Sequence, residues 1–272
     1  MTIIVSVKFN DGIVVASDST ASFFRNDEKF VQSYDNANKI FNLAKGLPIG
    51  AATCGAGGIG NASISTLSKD LRERFQGNAR DCADWKLDPE SYTMEAVAKK
   101  AREFLLKAMD DSGQPVSLTY WVFGYSSGKA LPELWGIFVS AQERPDAHLI
   151  AGETVCGPNW AGEMEALDRL IFGRSGGFLD SAVKNGMEAD KATDLLKKVV
   201  PDLYETLVMP AMPVQDAIDL ARYLVGTTAS FMRFSIKRAK TVGGPVEVAA
   251  ITKHEGFKWV ARKHFYDAAL NP

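Results

Sequence analysis

The order of strand and helix signals predicts an α+β protein in which two antiparallel sheets pack together with helices outside. Two observations carry this expectation. Apolar, strand-like runs arrive in pairs joined by tight turns, and helical stripes fall between those pairs rather than alternating with single strands. The 272 residues suffice to bury a sizeable core, and no linker, repeat or low-complexity tract divides them. One domain spanning 1–272 is therefore expected.

Residues 2–9 and 13–19 read as a hairpin about Asp11-Gly12. A second strand pair, 37–43 and 47–54, turns at Lys45-Gly46. The glycine-rich bend Gly55 to Gly60 opens a helix over 62–75, whose Ile64, Leu67, Leu71 and Phe75 make one stripe on a 3.6-residue period. A second helix follows over 92–109, then strands over 116–125 and 133–140 and a short one over 146–152. Helices are expected over 158–172 and 216–236, with 173–212 helical and irregular. Strands over 244–253 and 257–262 close the chain about His254-Glu255-Gly256.

Composition narrows the function. Apolar residues at 46% and charged residues at 24% are ordinary for a globular protein. A net charge of −2 with no dominant Lys/Arg cluster argues against nucleic-acid binding. The locally basic stretch Arg233 to Lys240 reads as a solvated helix face or an active-site rim. Cys54, Cys82 and Cys156 form no CxxC and no even framework, which suits a reducing cytoplasm. No signal peptide and no run of about 18 apolar residues is visible, so a membrane partner is not expected. No metal or cofactor is expected either, since no Asp/Glu/His/Cys cluster has ligand spacing.

Gly55-Ala56-Gly57-Gly58-Ile59-Gly60 satisfies G-x-G-x-x-G between a strand and a helix. The context fails a dinucleotide site, because the helix leads into the polar stretch Gln76 to Glu90 rather than a second parallel strand ending in an acid. The glycines then serve a tight turn, or a backbone that offers N–H groups to a developing oxyanion. His148, His254 and His264 carry no HExxH or G-x-S-x-G context, so histidine-based catalysis has little support.

What remains is a hydroxyl nucleophile activated without histidine. Removal of Met1 would make Thr2 the N-terminal residue, placing a hydroxyl beside an α-amine that titrates near pH 8. Asp18 ends the return strand of the first hairpin, beside the start of the first strand. Lys39 interrupts the apolar stretch Ala37 to Leu43, where it is either an edge-strand charge or a buried cation with a partner. Taken singly, Asp18 as a turn cap and Lys39 as an edge charge explain each residue without catalysis.

Together the segments Thr2 to Val7, Val14-Val15-Ala16-Ser17-Asp18-Ser19, Asn38-Lys39-Ile40 and Gly50-Ala51-Ala52-Thr53-Cys54-Gly55 resemble the N-terminal-nucleophile hydrolases of the proteasome type. That family includes proteasome β-subunits, the HslV peptidase and the bacterial homologues Anbu and BPH. Ala151-Gly152-Glu153-Thr154 and Thr241-Val242-Gly243 resemble Anbu in particular. The resemblance covers most of the chain, with inserted segments near 20–36, 76–90 and 173–212.

The resemblance implies a four-layer α-β-β-α sandwich and a threonine-type peptidase or amide hydrolase that needs no cofactor. Thr2 would be the nucleophile and Asp18 and Lys39 its partners. Cys54 or Gly55 would supply the oxyanion N–H, and Ala52 or Thr53 would line the substrate pocket. Glu153, Thr154 and Thr241 would support them. The family's late Asp-x-x-Ser falls on Ala239 and Val242, which cannot replace it. Phe23-Phe24-Arg25 would reshape the substrate cleft. A homo-oligomeric ring or spiral is implied, with contacts through the 62–75 and 92–109 helices, but no unfoldase or activator is identified. The alternatives are a non-catalytic assembly subunit and an amidase for small isopeptide-like metabolites.

Overall fold

A computed structural model describes residues 2–24, 30–80 and 82–263. The strands, in chain order, are β1 (Ile3–Phe9), β2 (Gly12–Ser17), β3 (Ala21–Phe24), β4 (Phe30–Tyr34), β5 (Ile40–Asn42) and β6 (Ile49–Gly55). Then come β7 (Gly58–Ile59), β8 (Ala62–Ser63), β9 (Ser117–Gly124), β10 (Glu133–Ser140), β11 (His148–Ala151), β12 (Gly157–Gly162), β13 (Glu247–Thr252) and β14 (Gly256–Ala261). The helices are α1 (Ile64–Gln76), α2 (Met94–Ser112), α3 (Glu165–Ile171), α4 (Phe178–Lys184), α5 (Ala189–Leu203) and α6 (Val214–Phe234).

Two five-stranded sheets organise these elements. The first runs β12-β1-β2-β13-β14 and the second β11-β10-β9-β6-β5, and every pairing in both is antiparallel. Side-chain alternation on each strand then fixes three apolar layers. On β1, Ile3, Val5 and Val7 face α3 and α6, joining Leu167, Ile171, Ala221 and Leu224. Ile4 faces the other way and meets Ile13, Val15, Trp121, Phe123 and Ile251 between the sheets. The outer face of the second sheet, with Ala51, Tyr120 and Val122, packs on Leu67 and Leu71 of α1 and Val97 and Ala101 of α2. These layers make the expected α-β-β-α sandwich.

The helices start and stop where local chemistry dictates. Ser63 and Thr93 cap α1 and α2 by accepting from the backbone N–H groups of Thr66 and Ala96, and left-handed Gly77 and Gly113 end them. Gly226 lies inside a continuous α6. Within the Gly55–Gly60 run, Gly58–Ile59 forms β7, which pairs with β8 at Ala62–Ser63.

One expectation is corrected. Residues 158–172 are not one helix: 157–162 is strand β12, which forms the sheet edge beside β1, and only Glu165–Ile171 is helical. Gly157 at φ 151° and Gly162 at φ 101° hold backbone conformations outside the helical region on both sides of this segment. Of the three inserted segments, 20–36 contains the β3–β4 hairpin, 76–90 a single short turn of 3-10 helix, and 173–212 the helices α4 and α5.

The inter-sheet layer depends on one exchange of volume. Gly50 pairs with Phe123, and a Cβ at Gly50 would stand 2.6 Å from the Phe123 ring. Phe123→Ala should therefore leave a cavity that neighbouring strands cannot refill, lowering stability by about 3–5 kcal/mol. Urea unfolding should show a lower midpoint at unchanged slope.

Candidate active site

Four chain segments converge at the open end of β1. The first hairpin brings Asp18 back beside the strand's start, where Asp18 Oδ1 accepts from the backbone N–H of Ile3 at 3.1 Å. The same oxygen accepts from Lys39 Nζ at 2.7 Å. Its partner oxygen, Oδ2, accepts from the backbone N–H groups of Thr20 and Gly243, each at 3.1 Å. Lys39 Nζ also donates to Thr20 O at 2.7 Å. The Lys39 and Asp18 side chains are 6% and 1% exposed, so the ion pair is sealed from bulk water.

This geometry answers the open question about Lys39. It is a buried cation with a partner, not an edge charge, and it stands at the entry to β5. Because one oxygen bridges Ile3 N and Lys39 Nζ, the ammonium lies within about 6 Å of the Thr2–Ile3 peptide bond. Burial pulls the Lys39 pKa below the usual lysine range, Asp18 opposes that pull, and a like charge on Lys263 adds to it.

Thr2 is itself buried, and its position is held from the other side by β12. Its carbonyl accepts from Glu163 N at 2.8 Å. Gly162 makes the close approach possible: a Cβ there would fall 1.9 Å from Thr2 O and 3.5 Å from Cys54 Cβ. Cys54 therefore belongs to the same corner, where burial pushes its thiol up to about 11.

The pleat of β6 separates the remaining expected residues. Thr53 N donates to Lys39 O at 2.9 Å, so the N–H groups of Thr53 and Gly55 point toward β5 while that of Cys54 points toward β9. The ladder of β5 begins only at Ile40, opposite Ala52, so Gly55 N faces the open corner. Thr53 is held by its hydroxyl donating to Thr119 O at 3.2 Å. Ala52 does not line an open pocket; it is fully buried between the sheets.

Glu153 and Thr154 are not brought to this corner. Lys8 Nζ donates to Glu153 O and Val155 O, each at 2.8 Å, which places that segment at the opposite end of β1. Six strand positions, roughly 20 Å of rise, separate Lys8 from Thr2. The pair following the edge strand at the Thr2 end is instead Gly162-Glu163. Glu163 is buried, and Arg238 Nη1 meets its Oε1 at 2.7 Å, so the basic stretch 233–240 does reach the rim of the site.

Thr241 is fully buried, and its hydroxyl has no hydrogen-bond partner among the described residues. It lies two residues before Gly243, whose N–H holds Asp18. Val242 is spent in the helix-side core. From the 20–36 insertion, Asp35 Oδ1 accepts from Thr20 Oγ1 at 2.7 Å, tying the hairpin to the site. Phe23 is exposed and packs edge-on against Tyr34 at 5.8 Å between ring centroids. Met1 and Arg25 lie outside the described residues.

Glu163 was not legible as a site residue, whereas Arg238 lies in the basic stretch read as a solvated helix face or an active-site rim and Gly243 in the Thr241-Val242-Gly243 segment. The one available signal was an acid directly after a glycine and before a helix, which 151–154 also offers.

The Asp18–Lys39 pair generates a direct expectation. Asp18→Ala strands a buried ammonium and frees three backbone N–H groups, and should destabilise by about 3–5 kcal/mol. Asp18→Asn combined with Lys39→Met should recover most of that loss in urea unfolding, because no charge is then left unpaired.

No protein-family model and no curated protein matches the sequence. Solved structures do match. One is an Anbu (Gly-1) mutant from Hyphomicrobium sp. strain MC1, with a TM-score of 0.56 at 13% identity over 97% of this chain and 86% of that one. Another is Anbu, described as an ancestral beta-subunit, from Yersinia bercovieri, with a TM-score of 0.48 at 12% identity over 97% and 88%. The chain has the fold of this Anbu structure, an α-β-β-α sandwich.

Proposed function

We propose that this protein is a threonine-nucleophile hydrolase of peptide or amide bonds, active once the Met1–Thr2 bond has been cut. The observation that carries the reading is the single Asp18 carboxylate oxygen shared by Lys39 Nζ and the N–H beside Thr2. A buried cation held this close to a hydroxyl-bearing residue at the head of a strand suits an activated oxygen nucleophile. The fold match to Anbu agrees with it.

In the proposed reaction, Thr2 Oγ attacks the substrate carbonyl and its proton passes to the α-amine of Thr2. Lys39, kept charged and oriented by Asp18, stabilises the developing alkoxide. The carbonyl oxygen becomes an oxyanion that Gly55 N–H can receive, since that N–H points away from β9 into the corner. Collapse of the tetrahedral intermediate breaks the C–N bond, and the α-ammonium returns its proton to the leaving amine. Water, deprotonated by the same amine, then hydrolyses the Thr2 ester. Thr53, paired with Lys39 and two residues before Gly55, lines the pocket for the acyl side.

Glu163 and Thr241 are proposed as supporting groups, in place of Glu153 and Thr154. The Glu163 backbone holds the carbonyl of Thr2, and its buried carboxylate is positioned by Arg238. Self-association belongs to the same reading. Among the described residues, the large exposed apolar side chains include Tyr223, Phe234 and Ile236 on and just after α6, and none lies on α1 or α2. The α6 face thus has more support as a subunit contact than the α1 and α2 faces.

Incubation of purified protein with an epoxyketone or β-lactone probe tests the reading by intact mass. Protein lacking Met1 should gain one adduct, and Thr2→Ala should gain none. Protein with a free Thr2 amine that forms no adduct and releases no product from acyl peptides would overturn the assignment.

A further inference from the structure

A second buried ion pair stands directly behind the first. Lys263 follows β14, and its side chain is only 7% exposed, while that of Glu247 on β13 is 1% exposed. Lys263 Nζ lies 3.0 Å from Glu247 Oε2, donates to Ser19 Oγ at 2.6 Å and donates to Ala37 O at 2.8 Å. Ser19 adjoins Asp18, and Ala37 stands two residues before Lys39. Ala37 N donates to Ser19 O at 2.9 Å, and Ser19 N donates to Gly243 O at 2.9 Å. Lys263 thus grips both segments carrying the Asp18–Lys39 pair, and Glu247 anchors it to the strand beside β2.

We propose that Lys263, held by Glu247, is a positioning residue that sets the location and charge environment of Lys39 for the reaction at Thr2. This rests on the threonine-nucleophile reading above. Its physical basis is twofold. A clamp on Ser19 and Ala37, anchored at Glu247, fixes the two loops whose displacement by about 1 Å would misplace the ammonium. The clamp is also a cation, so it disfavours a second proton on the bases nearby. The ionisable groups facing Lys39 are Asp18 after β2, Cys54 on β6 and Lys263 after β14. The Thr2 amine joins them once Met1 is gone, and Glu247 on β13 faces Lys263 from behind.

The sign follows from those neighbours. With Lys263 charged, Lys39 and the Thr2 amine lose their protons at lower pH than they otherwise would. Removing that charge raises their proton affinity, so the acid limb of the reaction moves to higher pH.

The test compares wild type, Lys263→Arg, Lys263→Met and the double variant Glu247→Gln/Lys263→Met, which leaves no stranded carboxylate should the single variant fold poorly. The rate of Thr2 acylation by a β-lactone is followed by intact mass from pH 6 to 9.5, beside amide hydrogen exchange of peptides covering 18–20 and 37–39. Lys263→Met and the double variant should slow acylation by about 10- to 100-fold. They should also move the acid limb up by roughly one pH unit and speed exchange in both peptides. Lys263→Arg should keep the limb in place.

Unchanged rate, limb and exchange in the two Met-containing variants would overturn the proposal. Equal slowing in Lys263→Arg and Lys263→Met with an unmoved limb would reduce Lys263 to packing and overturn it too. Should wild type itself form no adduct, the threonine reading fails, and unaltered exchange in the same variants separately removes the clamp.

Discussion

The Asp18 carboxylate is the point on which the rest of this structure depends. It is wholly buried, and it is tolerated because every side of it is occupied: one ammonium and three backbone N–H groups. Each donor comes from a different stretch of chain, namely the start of β1, the residue after Ser19, the entry to β5 and the 241–243 loop. A buried charge of this kind adds little to net stability, since desolvation offsets most of the attraction. What it imposes is placement. If any of the four segments is misplaced, a donor is lost and the charge becomes costly, so the native arrangement is the one in which all four meet.

That constraint explains why residue 2 is fixed so firmly in a chain whose termini would ordinarily fray. Asp18 holds the N–H that follows Thr2, and Glu163 N holds its carbonyl. The peptide unit between Thr2 and Ile3 is thereby tied on both sides, by β2 and by β12. Gly162 permits the second tie, since any Cβ there would occupy the space of Thr2 O. The strand pairing that builds the sheet is the same pairing that immobilises the hydroxyl-bearing residue, so positioning of Thr2 requires no further device.

How much of this could be read in the sequence followed from how local the physics was. The β1–β2 hairpin, the β5–β6 pair and the stripes of α1 and α2 were legible because apolar periodicity and adjacent turns fix them within 20 residues. Lys39 was legible as an anomaly, a cation within an apolar run. β12 was not legible: Gly-Pro-Asn-Trp-Ala-Gly has no apolar alternation and needs little, because it is an edge strand paired only with β1. The pairing of Glu163 with Arg238 was invisible for a different reason, since the two meet across 75 residues. Glu153 and Thr154 drew attention because Ala-Gly-Glu-Thr mimics the glycine-acid pattern that Gly162-Glu163 fulfils in space.

Lys8 sharpens the reading of Lys39 by contrast. Both are buried lysines whose pKa burial pulls down, and they belong to opposite ends of the same sandwich. Lys8 donates to two main-chain carbonyls, Glu153 O and Val155 O, and among the described residues no carboxylate hydrogen-bonds to it. Such an ammonium ties a loop to a strand. Lys39 instead meets a carboxylate and one carbonyl, and it does so at the corner where Cys54, Gly55 and Thr2 gather. The difference in partners and in place, rather than burial or pKa, separates the two: Lys8 fastens a loop through main-chain carbonyls alone, and Lys39 joins the segments around Thr2 through the Asp18 carboxylate.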